Sequence, residues 1–347
     1  MKNIIEVAGD YLEGGGAIVR VSLGLSILTQ KPVRIYNIRS NRPKPGLHTQ
    51  LVKSIEAAKK LCNAKTKGIT LRSKEIEFYP QKIKESKLTI EVPTAASIGL
   101  ILQLLQLACI SAKHKINISI KGGASFGKWA PPTPYLENVT IPLLEKIDYK
   151  IKLNVKRHGF YPRGGSEVEI EIYPAEKLKQ IILTEQGNIK NICGISIASK
   201  HLEKSKVAER QKDSAEKIIS KKFAISPKID YKYCDAICPG SGIVLWAKTT
   251  NSILGASSLG EIRKKAEDVG KECANLLKKQ LDTNACLDRW MTDQILPYLA
   301  IASGKISVAE ITNHCLTNIW VIEKFLPVKF TVNGKKNESG IIICNKR

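Results

Sequence analysis

One plan recurs three times along this chain of 347 residues: a helix, then two strands joined by a turn. The first copy leaves Pro45-Gly46-Leu47, predicts a helix over 51–61 and continues into strands at 68–72 and 75–79. The second follows Pro131-Pro132, with a helix over 135–146 and strands at 151–156 and 167–173. Here Glu167-Val168-Glu169-Ile170-Glu171-Ile172 alternates polar and apolar residues, as a strand with one buried face must. The third copy has a helix over 317–325 and strands at 328–332 and 340–344. The spacing of the copies is irregular, which predicts a tandem of α/β units rather than a solenoid.

A strand–helix–strand unit lies between the first two copies, at 88–92, 97–112 and 116–120. Residues from about 183 to 280 break the plan. They read as a strand at 193–198, a helix at 207–220, strands at 228–233 and 242–249 around the Pro239-Gly240-Ser241-Gly242 turn, and a long helix at 262–279. The expected organisation is a large repeat-built domain from 1–182 and 281–347, with a smaller α/β domain inserted at 183–280. The fold class is α/β (α+β).

Composition narrows what such a chain does. Lys and Arg number 55 against 32 Asp and Glu, a net charge of +23, which suits a polyanionic partner such as nucleic acid. A lysine-rich solvated surface gives the same number, so charge leaves both readings open. The start, Met1-Lys2-Asn3-Ile4-Ile5-Glu6-Val7, carries charged groups and reads as a strand rather than a secretion signal. No apolar run reaches membrane-spanning length. Nine scattered cysteines fit reduced thiols and a cytoplasmic location. Cys234 and Cys238 form a CxxxC without a second Cys/His pair to complete a zinc site. They read as structural, with a disulfide as the alternative.

The sequence offers several candidate anion sites. Glu13-Gly14-Gly15-Gly16 precedes an apolar helix carrying Arg20; such a turn can bring backbone N–H groups to an anion, or be merely flexible. Ile38-Arg39-Ser40-Asn41-Arg42-Pro43-Lys44-Pro45-Gly46-Leu47 places two arginines three apart among prolines, either a phosphate fork or a basic loop in water. His314, in His314-Cys315-Leu316-Thr317-Asn318, stands at the start of an apolar helix. The positive end of that helix opposes imidazolium and leaves the ring neutral and nucleophilic.

These segments, with Arg157-His158-Gly159-Phe160-Tyr161-Pro162-Arg163-Gly164-Gly165, Ala130-Pro131-Pro132 and Thr292-Asp293-Gln294, occur in an order that resembles the RNA 3′-terminal phosphate cyclase family over nearly the whole chain. The resemblance implies repeated βαβαββ-type units with helices inside and sheets outside. It also implies ATP-dependent conversion of an RNA 3′-phosphate to a 2′,3′-cyclic phosphate. His314 aligns with the family's adenylylated nucleophile, and Glu13 with an acidic position suited to Mg²⁺ or Mn²⁺. Arg20, Arg39 and Arg42 match phosphate-clamping positions, with Gln50 beside them. Gln103, Pro131 and the segment Trp290-Met291-Thr292-Asp293-Gln294 match the ATP-binding parts, Trp290 standing where a tyrosine is usual. The implied partners are ATP and RNA with a 3′-phosphate, and no membrane. His158 reads as structural, and His48, His114 and His201 have no supporting neighbours.

The chain departs from the family pattern at Gly164-Gly165-Ser166, at Gly122-Gly123-Ala124 and at Thr133-Pro134. These departures bear on contacts with nucleotide or RNA. Two other functions suit the same fold: a non-catalytic cyclase-like protein acting on ribosomal RNA, which lacks the histidine, and an enolpyruvyl transferase.

Overall fold

The computed structural model describes residues 3–223 and 225–346, and its strands form four sheets of four. Three of these sheets have one topology. The first unit comprises β1 (Ile5–Ala8), α1 (Gly16–Thr29), β2 (Val33–Tyr36), α2 (Thr49–Cys62), β3 (Lys65–Lys67) and β4 (Ile76–Tyr79). The second comprises β5 (Lys87–Ser97), α3 (Ile98–Ala108), β6 (Ile116–Ala124), the short helices α4 (Thr133–Tyr135) and α5 (Ile141–Glu145), β7 (Ile151–Arg157) and β8 (Glu167–Ile172). The third starts at β9 (Ile181–Leu183) and, after the inserted segment, resumes with α8 (Arg289–Ala302), β14 (Gly304–Val308), α9 (Asn313–Phe325), β15 (Val328–Asn333) and β16 (Gly340–Lys346). In all three the opening pair is parallel and the rest antiparallel, with orders β1-β2-β4-β3, β5-β6-β8-β7 and β9-β14-β16-β15. The repeating unit is therefore βαβαββ.

Why the sheets face outward follows from strand patterning. Alternate residues of β8, such as Val168, Ile170 and Ile172, are buried while Glu169 is exposed. Helix α1 is buried almost throughout from Ala17 to Ile27 and packs against α2, α3 and α9. The helices thus form the interior and each sheet covers them with one face. The helix predicted at 135–146 is interrupted: a π-turn at Leu136–Thr140 separates α4 from α5, and Pro142, inside the helical run, lacks the N–H that a regular ladder needs.

The insert has its own sheet, order β11-β10-β12-β13, built from β10 (Ile189–Ser199), β11 (Lys228–Cys234), β12 (Ser241–Thr249) and β13 (Ile253–Leu259). Helices α6 (Val207–Phe223) and α7 (Ala266–Leu281) pack on it and enclose a second apolar core around Ile219, Leu245 and Leu277. Strand β13 escaped the sequence reading. Its Ile-Leu-Gly-Ala-Ser-Ser-Leu has no period of two, because the sheet also packs on the large domain, where Gly255 lies close against Tyr135 and Val139.

Asp288 fastens the parts together. Its buried carboxylate caps α8 by accepting from the N–H groups of Trp290 and Met291, both at 2.9 Å. It also accepts from the Tyr135 hydroxyl at 2.7 Å and from the Gly255 N–H at 2.8 Å. One side chain thereby joins the second unit, the insert and the third unit. The nine cysteines are free thiols; Cys234 and Cys238 donate separately to the carbonyls of Ala198 and Phe160, which resolves the CxxxC in favour of the structural reading. Among the described residues no helix is long and apolar enough to cross a membrane.

Candidate active site

Equivalent helices of the three units converge on one cleft. The first helices contribute Arg20 from α1, Gln103 from α3 and Asp293 from α8; the second helix of the third unit contributes His314. Insert residues, including Ser257, Ser258 and Lys264, form the opposite wall of this cavity of about 490 Å³.

His314 is the second residue of α9, and Thr312 is the cap. The Thr312 hydroxyl accepts from the Cys315 N–H at 3.0 Å and donates to Asp293 Oδ1 at 3.0 Å. The imidazole is left without a capping duty, and 48% of the side chain is open to the cleft. Its walls withdraw water from the ring and, with Arg20, Arg42 and Arg289 nearby, push the imidazole down to about 4. At neutral pH the ring is uncharged and keeps a free lone pair. Its Nε2 lies 3.7 Å from Glu13 Oε1.

The Leu-Thr-Asn that follows His314 builds the surroundings. Thr317 Oγ1 accepts from the Glu13 N–H at 3.4 Å, and Asn318 Nδ2 donates to the Asp293 carbonyl at 3.0 Å. One turn of α9 thus fixes both acidic neighbours. These two residues belong to the motif, yet residue type alone assigned them no task; only the packing of three helices gives them one.

Gly15 explains part of the glycine triplet. A Cβ at this position would collide with the Glu13 carboxylate, which folds back over the turn. The triplet therefore makes room for an acid as well as exposing backbone. Glu13 Oε1 pairs with Arg42, and the same guanidinium donates to the Glu13 carbonyl at 2.9 Å. Glu13 Oε2 is buried without a protein partner. Among the described residues no group of three His, Cys, Asp or Glu side chains gathers around a metal position. A single unpartnered carboxylate oxygen fits Mg²⁺ or Mn²⁺, ions that draw most of their ligands from phosphate and water.

Arg20 is 7% exposed, and burial lowers its guanidinium to about 10; its Nε donates to Gln103 Oε1 at 3.0 Å. A buried cation with one neutral partner favours an anion beside it. Asp293 is pushed up to about 7 by burial, partly opposed by the Thr312 hydroxyl and by Arg289. Pro131, Trp290 and Gln294 also line the cleft.

Other expected residues take different positions. Met291 and Thr292 are fully buried and do not line the cavity; the Thr292 hydroxyl donates to the Asp288 carbonyl at 2.8 Å. The Asp288 cap fixes the rotation of α8, which turns residues 290, 293 and 294 to the cleft and 291 and 292 to the core. Arg39 does not form a fork with Arg42. Its guanidinium donates to the carbonyls of Lys44 and Gly46 at 2.8 and 2.9 Å, holding its own loop closed. Gln50, near the start of α2, keeps a buried amide nitrogen without a partner. His158 is buried with its Nδ1 3.1 Å from the Ser125 hydroxyl, in keeping with a structural role. Arg289 and Thr312, which the sequence reading passed over, reach the cavity, as does Lys264 of the insert.

A neutral histidine at a helix start lies here beside an acid and several guanidiniums, groups whose positive charge favours a phosphorylated ligand. The model of the RNA 3′-terminal phosphate cyclase family matches residues 11–332, and the chain belongs to that family. It is 40% identical to the RNA 3′-terminal phosphate cyclase of Methanopyrus kandleri, over 98% of each chain. Its identity to the proteins of the same name from Pyrococcus furiosus and Thermococcus kodakarensis is 42%, over 97% of each chain.

Proposed function

We propose that this chain uses ATP to convert an RNA 3′-terminal phosphate into a 2′,3′-cyclic phosphate, with His314 as the group that carries AMP. The observation that carries this reading is the neutral His314 imidazole facing a cleft lined by Arg20 and Arg289. Full-length similarity to proteins named RNA 3′-terminal phosphate cyclase supplies the substrate class. Retention of the histidine weighs against the non-catalytic alternative, and an enolpyruvyl transfer gives no use to such a nucleophile.

In the first step the Nε2 lone pair of His314 attacks the α-phosphorus of ATP; the bond to the bridging oxygen breaks and pyrophosphate leaves. Arg20 and Arg42 bring positive charge to this end of the cleft as phosphate charge shifts. In the second step an oxygen of the RNA 3′-phosphate attacks the same phosphorus and the imidazole departs with its electron pair. In the third, the neighbouring 2′-hydroxyl attacks the RNA phosphorus, AMP leaves and the hydroxyl proton is released. Asp293 and Thr312 fix the start of α9, so that Nε2 keeps its position through the cycle. A divalent cation held by Glu13 would neutralise phosphate charge during nucleotidyl transfer.

The test is incubation with α-labelled ATP and Mg²⁺ or Mn²⁺. The expected result is label on the protein that acid removes and alkali does not, followed by cyclic ends once a 3′-phosphorylated oligonucleotide is added. An unlabelled protein, or label that persists in His314→Ala, would overturn the proposal.

A further inference from the structure

Trp129 is the least explained large side chain of the molecule. It is 91% exposed, although it immediately precedes Ala130-Pro131-Pro132 and lines the same cavity as His314. Exposure of this degree is unusual for tryptophan, which normally hides most of its ring.

The loop that carries it is closed at its base and packed at its sides. The Thr133 N–H donates to the Ser125 carbonyl at 2.9 Å and closes residues 125–133 into a loop. On one side of the tip a Cβ on Gly127 would stand 2.7 Å from Ser97 Cβ. On the other, the Pro131 carbonyl oxygen lies 2.6 Å from where a Gly99 Cβ would be. Between these two close approaches Trp129 takes φ +60, a conformation that a bulky residue with a Cβ adopts at a cost. The fold therefore holds an unfavourable backbone in a way that keeps an indole in water at the mouth of the cleft. Nearby the Lys128 ammonium lies over the Tyr161 ring at 4.9 Å and faces Glu261 of the insert at 3.8 Å.

We propose that Trp129 is the stacking platform for the base of the terminal nucleotide of the RNA, the one that carries the 3′-phosphate. This rests on the cyclase reading above and adds a subsite to it. An indole face accepts any base, because every base has a π-surface, and so it can position an RNA end without reading its sequence. The adenine of ATP has other, less exposed apolar walls in the cleft: Pro131, Leu100 and the half-buried Trp290, which packs against both cores. A mononucleotide can enter the cleft whole, whereas an RNA end must lie across the mouth, where Trp129 stands. Trp129 acts by positioning; it does not touch the reacting atoms.

The two half-reactions separate this proposal from the one beneath it. Trp129→Ala should form the AMP adduct with unchanged KM for ATP, while KM for a 3′-phosphorylated oligonucleotide rises roughly tenfold, as for a lost base–aromatic stack. Trp129→Phe should recover most of that loss. With the parent protein, an oligonucleotide whose terminal nucleotide is abasic should show a similar rise, and with Trp129→Ala no further one. A raised KM for ATP with RNA unaffected would assign the indole to adenine and overturn the proposal. So would an unaltered KM for both substrates, or equal abasic penalties in parent and variant. A parent protein that takes up no label would instead refute the cyclase reading itself.

Discussion

Two helix starts occupy equivalent places in the first and third units, and both carry a histidine. At α2 the cap is His48: its Nδ1 accepts from the Leu51 N–H at 3.4 Å. At α9 the cap is Thr312, and the histidine comes two residues later, with its ring open to the cleft. Burial and neighbouring guanidiniums lower both imidazoles to about 4. A depressed histidine is thus no mark of a nucleophile by itself. The difference lies in what each ring is bonded to: His48 closes its own helix, while a threonine closes the helix of His314 and leaves the imidazole open to the cleft.

The strongest test of that contrast removes each ring in turn. His314→Ala is expected to abolish the AMP adduct, whereas His48→Asn, which keeps a capping side chain, should still form it. Labelling with α-labelled ATP reads both, and circular dichroism checks the fold. Adduct on His314→Ala, or none on a folded His48→Asn, would break the comparison.

The arginine loop between these helices should show a smaller split. Arg42 sits against Glu13 beside His314, so Arg42→Ala should lower kcat/KM for cyclisation by roughly tenfold or more, as for a lost charge-assisted contact. Arg39→Ala removes two bonds to loop carbonyls and should act first on stability, by about 1–3 kcal/mol in denaturant unfolding. Equal catalytic losses with unchanged stability would return Arg39 to the phosphate site.

Asp293 gives the third-unit helix start a pH signature that the first unit lacks. Its carboxyl sits near 7 in the fold against an ordinary 3.8, so the unfolded chain releases this proton first. The contribution of Asp293 to stability is complete below about pH 4, declines as pH rises to about 7, and is level above that. Asp293→Asn should not show this decline. Within that window its advantage over the parent should grow by about 1.4 kcal/mol for each step of one in pH. Thermal unfolding of both proteins from pH 4 to 8 measures it, and parallel curves would mean that the carboxyl titrates normally.

The mildest change is Thr312→Ser, which keeps the cap hydroxyl and should alter stability and adduct formation little. Thr312→Val, without the hydroxyl, should cost about 1 kcal/mol and slow adenylylation. If Val and Ser behaved alike, Thr312 would have no part in presenting His314.

Much of the molecule is legible in its residues. The recurrence of a helix and two strands, the alternation in β8, and the helix start at His314 all follow from local chemistry, since periodicity and capping act within a few residues. The strand expected at 68–72 instead lies at Lys65–Lys67, and 68–72 turns back toward β4. Family motifs singled out Arg20, Gln103 and Asp293 one by one. Their shared position, on the first helix of each of three units, required the units to be packed around a common interior.

Local pattern fails where two surfaces compete for one strand or where a side chain serves another segment. Strand β13 is covered on both faces and so has no alternation to read. The bonds of Arg39 to its own loop carbonyls, and the turning of Met291 and Thr292 toward the core by the Asp288 cap, are placements that no local pattern announces. Residue order was enough to show the recurring units and the family, and to place His314 at a helix start. Which neighbours that histidine meets was settled only by folding, because Glu13, Asp293 and Thr317 are brought together from distant parts of the chain by packing that no single segment encodes.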